Sequence, residues 1–447
     1  MTRLAKLALF MLLLVACSAN AAPTPAAPTR QPSAQATSLP PTPQPTPVPT
    51  APPTVMPAPP PTRPPSAASK PGKLGVHLLL EDLRQHWQRT LWPEHMRYAR
   101  DLVGEWGFVI ALVRLDDLDP DKWESFFDEC RRLHLTPIIR FATTYDDEHR
   151  WWTAPLRDNE KPGGYFTVAE QYRDFLDHLK WPTTPHYVIV GNEPNRGDEW
   201  ENQPNGEAYA HFLGDVSKRL RENDPKIVVL NGALDLYAPN TNGQPFGDGY
   251  RYIDADTFMN QMAGWDPDIF KKVQVWNSHA YPSGPFRDPP DKQFMQFDYI
   301  NGAHSSRTAP WPAGLFNRGI NSYAWELYKV QQLGGAPLPV MITETGWRHR
   351  DSTSAEAADG GNADPTAQQV ADYFELAFVG NQRLPQYPRT GWTPWLTDPR
   401  VLAVIPFALD GYPGDWGHSN WLMLDDDGHV QGVYPQYARM IELGLNR

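Results

Sequence analysis

From about residue 73 onward, short apolar runs rich in β-branched residues alternate with longer stretches whose apolar positions recur every three or four residues. The short runs predict strands over 74–79, 108–115, 137–141, 187–190, 227–230, 273–276, 340–343 and 402–407. The helical spacing, as in Tyr172, Phe175, Leu176 and Leu179, predicts helices over 96–106, 123–133, 169–179, 209–220, 257–262, 322–333, 366–379 and 437–443. Strands that are apolar throughout belong to a parallel sheet covered on both faces. The expected fold class is therefore α/β. Eight strand and helix units at this length favour a closed (β/α)8 TIM barrel over a doubly wound open sheet, as a single domain over 73–447.

Residues 1–72 break the pattern. Arg3 and Lys6 precede an apolar run over 7–16 that is too short for a permanent membrane span and reads as an export signal over 1–16. The run ends Leu14-Val15-Ala16-Cys17-Ser18, which resembles the lipobox of bacterial lipoproteins. That resemblance implies a lipid on Cys17, attachment to a membrane and an extracytoplasmic domain; an ordinary signal peptide cut near Ala19 to Ala22, with secretion, is the alternative. Residues 17–72 are dominated by Pro, Thr and Ala, cannot bury a core and favour polyproline II. They form a tether in this reading, with a reach of up to about 150 Å when extended.

Only two cysteines occur, Cys17 and Cys130, so a lipidated Cys17 leaves no pair for an intramolecular disulfide. Cys130 falls on the apolar face of a predicted helix with Trp123, Phe126 and Phe127, as a small buried residue. No Cys/His cluster has zinc spacing and no glycine-rich nucleotide motif occurs, so neither metal nor cofactor is implied. Residues 1–72 carry five basic side chains and no acidic one, so the net charge of −12 becomes −17 for the remainder. Such a domain repels nucleic acid and anionic polysaccharide at long range, which points to a neutral substrate.

In a barrel the residues just past each strand converge on one face. Here they are His77, Arg114 with Asp116, Arg140, Asn192 and Glu193, Asn231 and Asp235, Asn277, His279 and Tyr281, Glu344 and Trp347, and Asp410. Glu193 follows Tyr187-Val188-Ile189-Val190 and Glu344 follows Val340-Met341-Ile342-Thr343. Two carboxylates held by rigid strands suit glycoside cleavage, in which one protonates the leaving oxygen while the other attacks or stabilises the sugar cation.

These motifs resemble glycoside hydrolase clan A, the retaining (β/α)8 hydrolases, across the whole domain. Asn192-Glu193-Pro194 after strand 4 is similar to the clan's Asn-Glu-Pro, which implies Glu193 as acid/base and Asn192 as a ligand of the sugar 2-hydroxyl. Thr343-Glu344-Thr345-Gly346-Trp347 after strand 7 resembles the nucleophile segment. His279-Ala280-Tyr281 resembles the His-x-Tyr motif, which implies that Tyr281 holds the nucleophile and His279 lies near the acid/base. Arg114 resembles an arginine that supports the nucleophile, with a structural salt bridge to Asp116 or Asp117 as the alternative, while Arg140 and His77 are expected as pocket lining. Where many members carry a tryptophan after strand 8, this chain reads Pro406-Phe407-Ala408-Leu409-Asp410, so Trp416 or Trp421 is the candidate floor.

The long segments over 142–167 and 282–317 exceed ordinary connections and are expected to shape the cleft. Trp151, Trp152, Trp311 and Trp347 are candidate platforms for sugar rings, and Asp410 a candidate ligand for hydroxyls. The expected substrate is a neutral β-linked polysaccharide or oligosaccharide, with no nucleic acid and no obligate protein partner. A surface-displayed carbohydrate-binding pseudoenzyme and a transglycosylase are the rival readings.

Overall fold

The computed structural model describes residues 72–81, 87–159, 163–293, 298–300, 303–305, 311–388 and 393–446. The expected export signal, the tether and Cys17 lie outside these residues. Eight parallel strands carry the fold: β1 (Gly75–His77), β2 (Phe108–Arg114), β3 (Thr136–Ala142), β4 (His186–Val190), β5 (Ile227–Asn231), β6 (Trp276–His279), β7 (Val340–Glu344) and β8 (Val401–Val404). The first five pair in sequence order, and β6, β7 and β8 form a second run of neighbours. Two single parallel bridges, Leu230 to Val275 and Leu74 to Val404, join the runs at both seams and close the ring. At the second seam the Val404 N–H donates to the Lys73 carbonyl at 2.7 Å.

Alternation along the strands divides the apolar residues into two layers. Ile110, Ile138, Ile189, Leu230, Met341 and Ala403 fill the barrel interior. Val109, Ala111, Ile139, Val188 and Val229 join the larger layer under the surrounding helices. Gly75 is required where β1 meets its neighbours, because a Cβ there would lie 2.8 Å from Ile405 Cγ1.

Helices α1 (Trp92–Val103), α2 (Pro120–Leu133), α3 (Phe166–Asp177), α4 (Gly206–Asn223), α5 (Ala255–Trp265), α6 (Tyr323–Gln332), α7 (Ala367–Val379) and α8 (Pro435–Glu442) follow the strands in turn. Their starts are set by local chemistry. Asp119 accepts from the Asp121 and Lys122 amides ahead of Pro120, Asn205 and Asp254 cap α4 and α5, and Thr366 with Gln369 forms a capping box on α7. Trp123, Phe126, Phe127 and Cys130 form the buried face of α2, as their spacing predicts.

Two strands depart from expectation. Strand 6, expected over 273–276, runs instead from Trp276 to His279, so His279 ends the strand and does not follow it. Its polar residues are tolerated because they pair laterally: Asn277 N–H donates to Asn231 Oδ1 at 2.9 Å, and Asn277 Nδ2 donates to the Asn231 carbonyl at 3.0 Å. Strand 8 ends at Val404 and not at Phe407. Hairpins absent from the predicted pattern occupy the segment after β3 (Tyr145–Asp146 with Trp151–Trp152) and the segment after β8 (Leu422–Leu424 with Val430–Val433). Among the described residues no helix is long and apolar enough to cross a membrane.

Candidate active site

The C-terminal ends of β3, β4, β6 and β7 bring Arg140, Glu193, His279 and Glu344 together. After β4 the chain turns through Gly191 at φ 86°, and Glu193 itself sits at φ 31°. A left-handed backbone at a residue with a Cβ costs on the order of 1 kcal/mol, so the surrounding contacts hold this carboxylate where relaxed geometry would not. Glu193 and Glu344 are each only 8% exposed. One oxygen of each and a ring nitrogen of His279 all lie within 4.8 Å of one another.

Glu344 is surrounded by donors. Tyr281 Oη donates to its Oε2 at 3.0 Å, Arg140 Nη1 donates to its Oε1, and His279 Nδ1 stands 3.6 Å from Oε2. Burial by itself would raise this carboxyl, but His279 and Arg140, helped by the Tyr281 hydroxyl, hold it down at about 2. It is therefore ionised through the physiological range. Burial and the two carboxylates push the Tyr281 phenol well above its usual range, so Tyr281 stays a neutral donor. His77 Nε2 lies 3.8 Å from Glu344, yet burial and then the Arg140 charge push this imidazole down to about 3. The contact is thus one between a neutral ring and a carboxylate, not an ion pair.

Glu193 has mixed company. His279 Nδ1 meets its Oε1 at 2.8 Å and Arg196 Nη1 approaches its Oε2 at 3.2 Å. Burial opposes the charge on His279, but Glu344 and Glu193 outweigh it and raise the imidazole above its ordinary value. An imidazole between the two carboxylates is thereby biased toward its protonated form. Arg196 also grips Asp198, through Nε at 2.9 Å and Nη2 at 2.6 Å, and faces Asp235 at 3.5 Å.

Arg140 connects the two halves. Its Nη1 reaches both Glu344 and, at 2.9 Å, Asn192 Oδ1, while its buried Nε has no protein partner among the described residues. With its oxygen taken, Asn192 has its amide nitrogen left to offer a ligand.

Several expected residues are placed elsewhere. Arg114 ends β2 and turns to Asp116 at 3.1 Å, captured by the short turn that follows its strand; Arg140 holds the place beside Glu344. Asp410 is fully buried away from the cleft, accepting from the Leu79 amide at 2.7 Å and pairing with His95 Nδ1 at 2.9 Å, so it ties the β8 connection to β1 and α1. Trp347 is buried against Tyr373 and Phe374 with its indole N–H on the Asp288 carbonyl, and Trp421 packs 4.9 Å from Phe374. Both are core residues and not platforms. Trp311 packs on Trp325. Trp151 and Trp152 remain half-buried on their hairpin, which is pinned by the Trp152 amide donating to the Asp198 carbonyl at 2.7 Å. Trp152 shares a small recess with Asn192 and Glu199. Parts of the segment over 294–310 lie outside the described residues.

Three residues contribute without having an expected role. Arg196 enters from the loop after Glu193, and its only sequence signal is a charged residue three positions on. Asp235, in the strand-end list without a role, faces that arginine. Phe407 stands at the strand-8 side with its ring 5.0 Å from His77 and 5.0 Å from Trp416, which backs it edge-on. Glu193, His279 and Glu344 are spaced as metal ligands could be. Arg140 already stands on Glu344 and Arg196 beside Glu193, however, so guanidinium groups occupy carboxylate faces that a cation would need.

No family model matches this chain, and no curated protein does. Solved structures align with this chain at low identity and with TM-scores below 0.5. A family 39 glycoside hydrolase from the gut symbiont Bacteroides cellulosilyticus WH2 is 15% identical with TM-score 0.47, covering 83% of this chain and 63% of that one. A glucosidase from Croceicoccus marinus is 12% identical with TM-score 0.46, covering 79% and 62%. Two fungal β-1,4-galactanases are represented at 13% identity and TM-score 0.46, covering 78% and 90%. The chain thus spans less than two thirds of the length of the first two, and the reading of the site rests on its own geometry.

Proposed function

We propose that this chain is a retaining β-glycosidase, with Glu344 as nucleophile and Glu193 as acid/base, acting on a neutral β-linked oligosaccharide or polysaccharide. The observation that carries the reading is the approach of the two carboxylates, with oxygens within 4.8 Å of each other. So close an approach favours double displacement, with carboxyl groups about 5–5.5 Å apart, over an inverting pair, whose carboxyl groups stand roughly 6.5–9.5 Å apart to admit a water. The ionised Glu344 forms a bond to the anomeric carbon as the glycosidic C–O bond breaks. The departing oxygen takes its electron pair and receives the proton of Glu193. Water then attacks the same carbon, giving a proton to Glu193 while Glu344 leaves. Tyr281 and Arg140 orient the nucleophile, and Asn192 and the open Nε of Arg140 are the groups proposed to meet sugar hydroxyls. Phe407 backed by Trp416 supplies an apolar wall, with Trp152 on the opposite side.

The proposal extends to location. The lipobox-like segment at Cys17 and the Pro-rich stretch support a lipid-anchored, extracytoplasmic enzyme displayed on a tether. Treatment of cells with labelled palmitate should mark the chain, and Cys17→Ala should abolish the label.

The reaction is tested by incubating the full chain, Glu193→Ala and Glu344→Ala with aryl β-glycosides and with β-glucan, xylan, mannan and galactan. Turnover lost in both variants, with retained anomeric configuration in the wild type, is the expected result. Glycan binding without turnover in the wild type would replace the reading with a carbohydrate-binding protein. Products longer than the substrate would make it a transglycosylase.

A further inference from the structure

The acid/base carboxylate has an arginine beside it, which is the wrong neighbour for a group that must donate a proton. A guanidinium at 3.2 Å favours the ionised carboxylate. The same guanidinium is shared, though. Its Nε and Nη2 are taken by both oxygens of Asp198, and Nη1 divides itself between Glu193 Oε2 and, at 3.5 Å, Asp235 Oδ2. One cation faces three carboxylates within a buried loop, so the field on Glu193 depends on how far the other two anions draw on Arg196.

Asp235 is held for this by its backbone. Its N–H donates to Asn195 Oδ1 at 3.0 Å, its carbonyl accepts from Asn195 Nδ2 at 2.9 Å, and its Oδ1 accepts from the Tyr237 amide at 2.7 Å. Asn195 lies two residues after Glu193, so the loops after β4 and β5 are locked together at the point where Asp235 meets Arg196. The side chain is largely buried, at 18% exposure, with Oδ2 turned toward the guanidinium.

We propose that Asp235 is a positioning residue for proton donation: by competing for Arg196 it keeps that guanidinium from neutralising Glu193, and so preserves the protonated acid. The proposal rests on the assignment of Glu193 as acid/base and goes beyond it by naming what sets the alkaline limit of activity. The other charged groups facing the pair come from every neighbouring element. They are His279 and Glu344 on the far side of Glu193, Arg140 beyond them, Asp198 and Glu199 in the same loop, and Tyr252 with Asp248 ahead of α5. Burial and the charge on Glu193 push the Asp235 carboxyl up to about 6, against the pull of Arg196 and the Tyr237 amide. Its negative charge therefore develops as pH rises through about 6, toward the alkaline limb that the proposal concerns.

The test is the pH dependence of kcat/KM for an aryl β-glycoside in full-length wild type and Asp235→Asn. Losing this anion should move the alkaline limb to lower pH by on the order of one unit, leave the acid limb in place, and preserve the rate at the new optimum within about tenfold. Asp198→Asn should move the same limb in the same direction. A second readout is the carbon-13 titration midpoint of the Glu193 carboxyl, which should fall in both variants and needs no turnover. Unmoved limbs and midpoints, or a loss of rate that is equal at all pH, would overturn the proposal and leave Asp235 a structural prop. If the wild type hydrolyses no glycoside, the proposed function fails while the titration still decides whether Asp235 governs the proton on Glu193.

Discussion

The two glutamates that face each other across the barrel mouth are equally buried and live in opposite electrostatic settings. Around Glu344, at the end of β7, the neighbours are a donor and a cation, Tyr281 and Arg140, while the His279 Nδ1 that lies 3.6 Å from it is hydrogen-bonded to Glu193. Around Glu193, after β4, the one arginine is shared with Asp198 and Asp235. Position in the fold is nearly symmetrical, so the difference lies in what each partner is already bound to. A cation committed to one carboxylate stabilises its charge; a cation divided among three stabilises each of them less. In the proposed mechanism, this difference lets one pocket hold an ionised nucleophile within 4.8 Å of the proposed proton donor.

The contrast can be broken most severely at Glu344. Glu344→Ala should lose turnover by at least about four orders of magnitude, and azide should restore part of it as the glycosyl azide of inverted configuration. In Glu193→Ala, azide should instead trap the glycosyl-enzyme and give the azide of retained configuration, read by NMR of the product. The same configuration from both variants would mean that the two roles are wrongly divided.

Removing the committed cation is the next test. Arg140→Met should cost about a hundredfold in kcat/KM. It should also raise the acid limb of the pH profile, because Glu344 then loses a charge that holds its carboxyl at about 2. An acid limb that stays in place would show that His279 and Tyr281 are sufficient.

The smallest effect concerns the strand that carries the bridge between the two sites. Glu326 of α6 is fully buried behind β6, where it accepts from Trp276 Nε1 at 3.1 Å and from the Ser278 hydroxyl. Burial raises its carboxyl from 4.5 to about 7, against the two hydrogen bonds and the charge on His279. The native state thus holds this proton more tightly than the unfolded chain does. The associated stability is complete below pH 4.5 and is lost as pH rises through about 7, a fall of up to about 3 kcal/mol. Glu326→Gln should flatten the decline in urea midpoint between pH 5 and 8; a decline that persists undiminished would place its cause in another group.

How much of this was legible in the chain differs between backbone and side chains. The eight strands and eight helices could be read because each depends on a local period, and the strand ends then named His77, Arg140, Asn192, Glu193, Asp235, Tyr281 and Glu344 as residues of one face. Strand 6 was read three residues early because its polar members, Asn277 and Ser278, look like loop in sequence and are made tolerable only by Asn231 and Glu326 from other elements. The pairing of Arg114 with Asp116 is one of two outcomes that the sequence leaves open, and only the placement of Arg140 beside Glu344 decides between them.

The sequence by itself therefore determined the repeating α/β architecture and the placement of two carboxylates on one face of it, because hydrophobic period and strand ends are properties of neighbouring residues. Tertiary structure alone decided which of the many tryptophans reach the cleft and that Trp347, Trp421 and Asp410 serve the core. It also decided how Arg140 and Arg196 distribute their charge. Those outcomes depend on burial and on hydrogen bonds between residues far apart in the chain, where a partner gained by one group is lost to another.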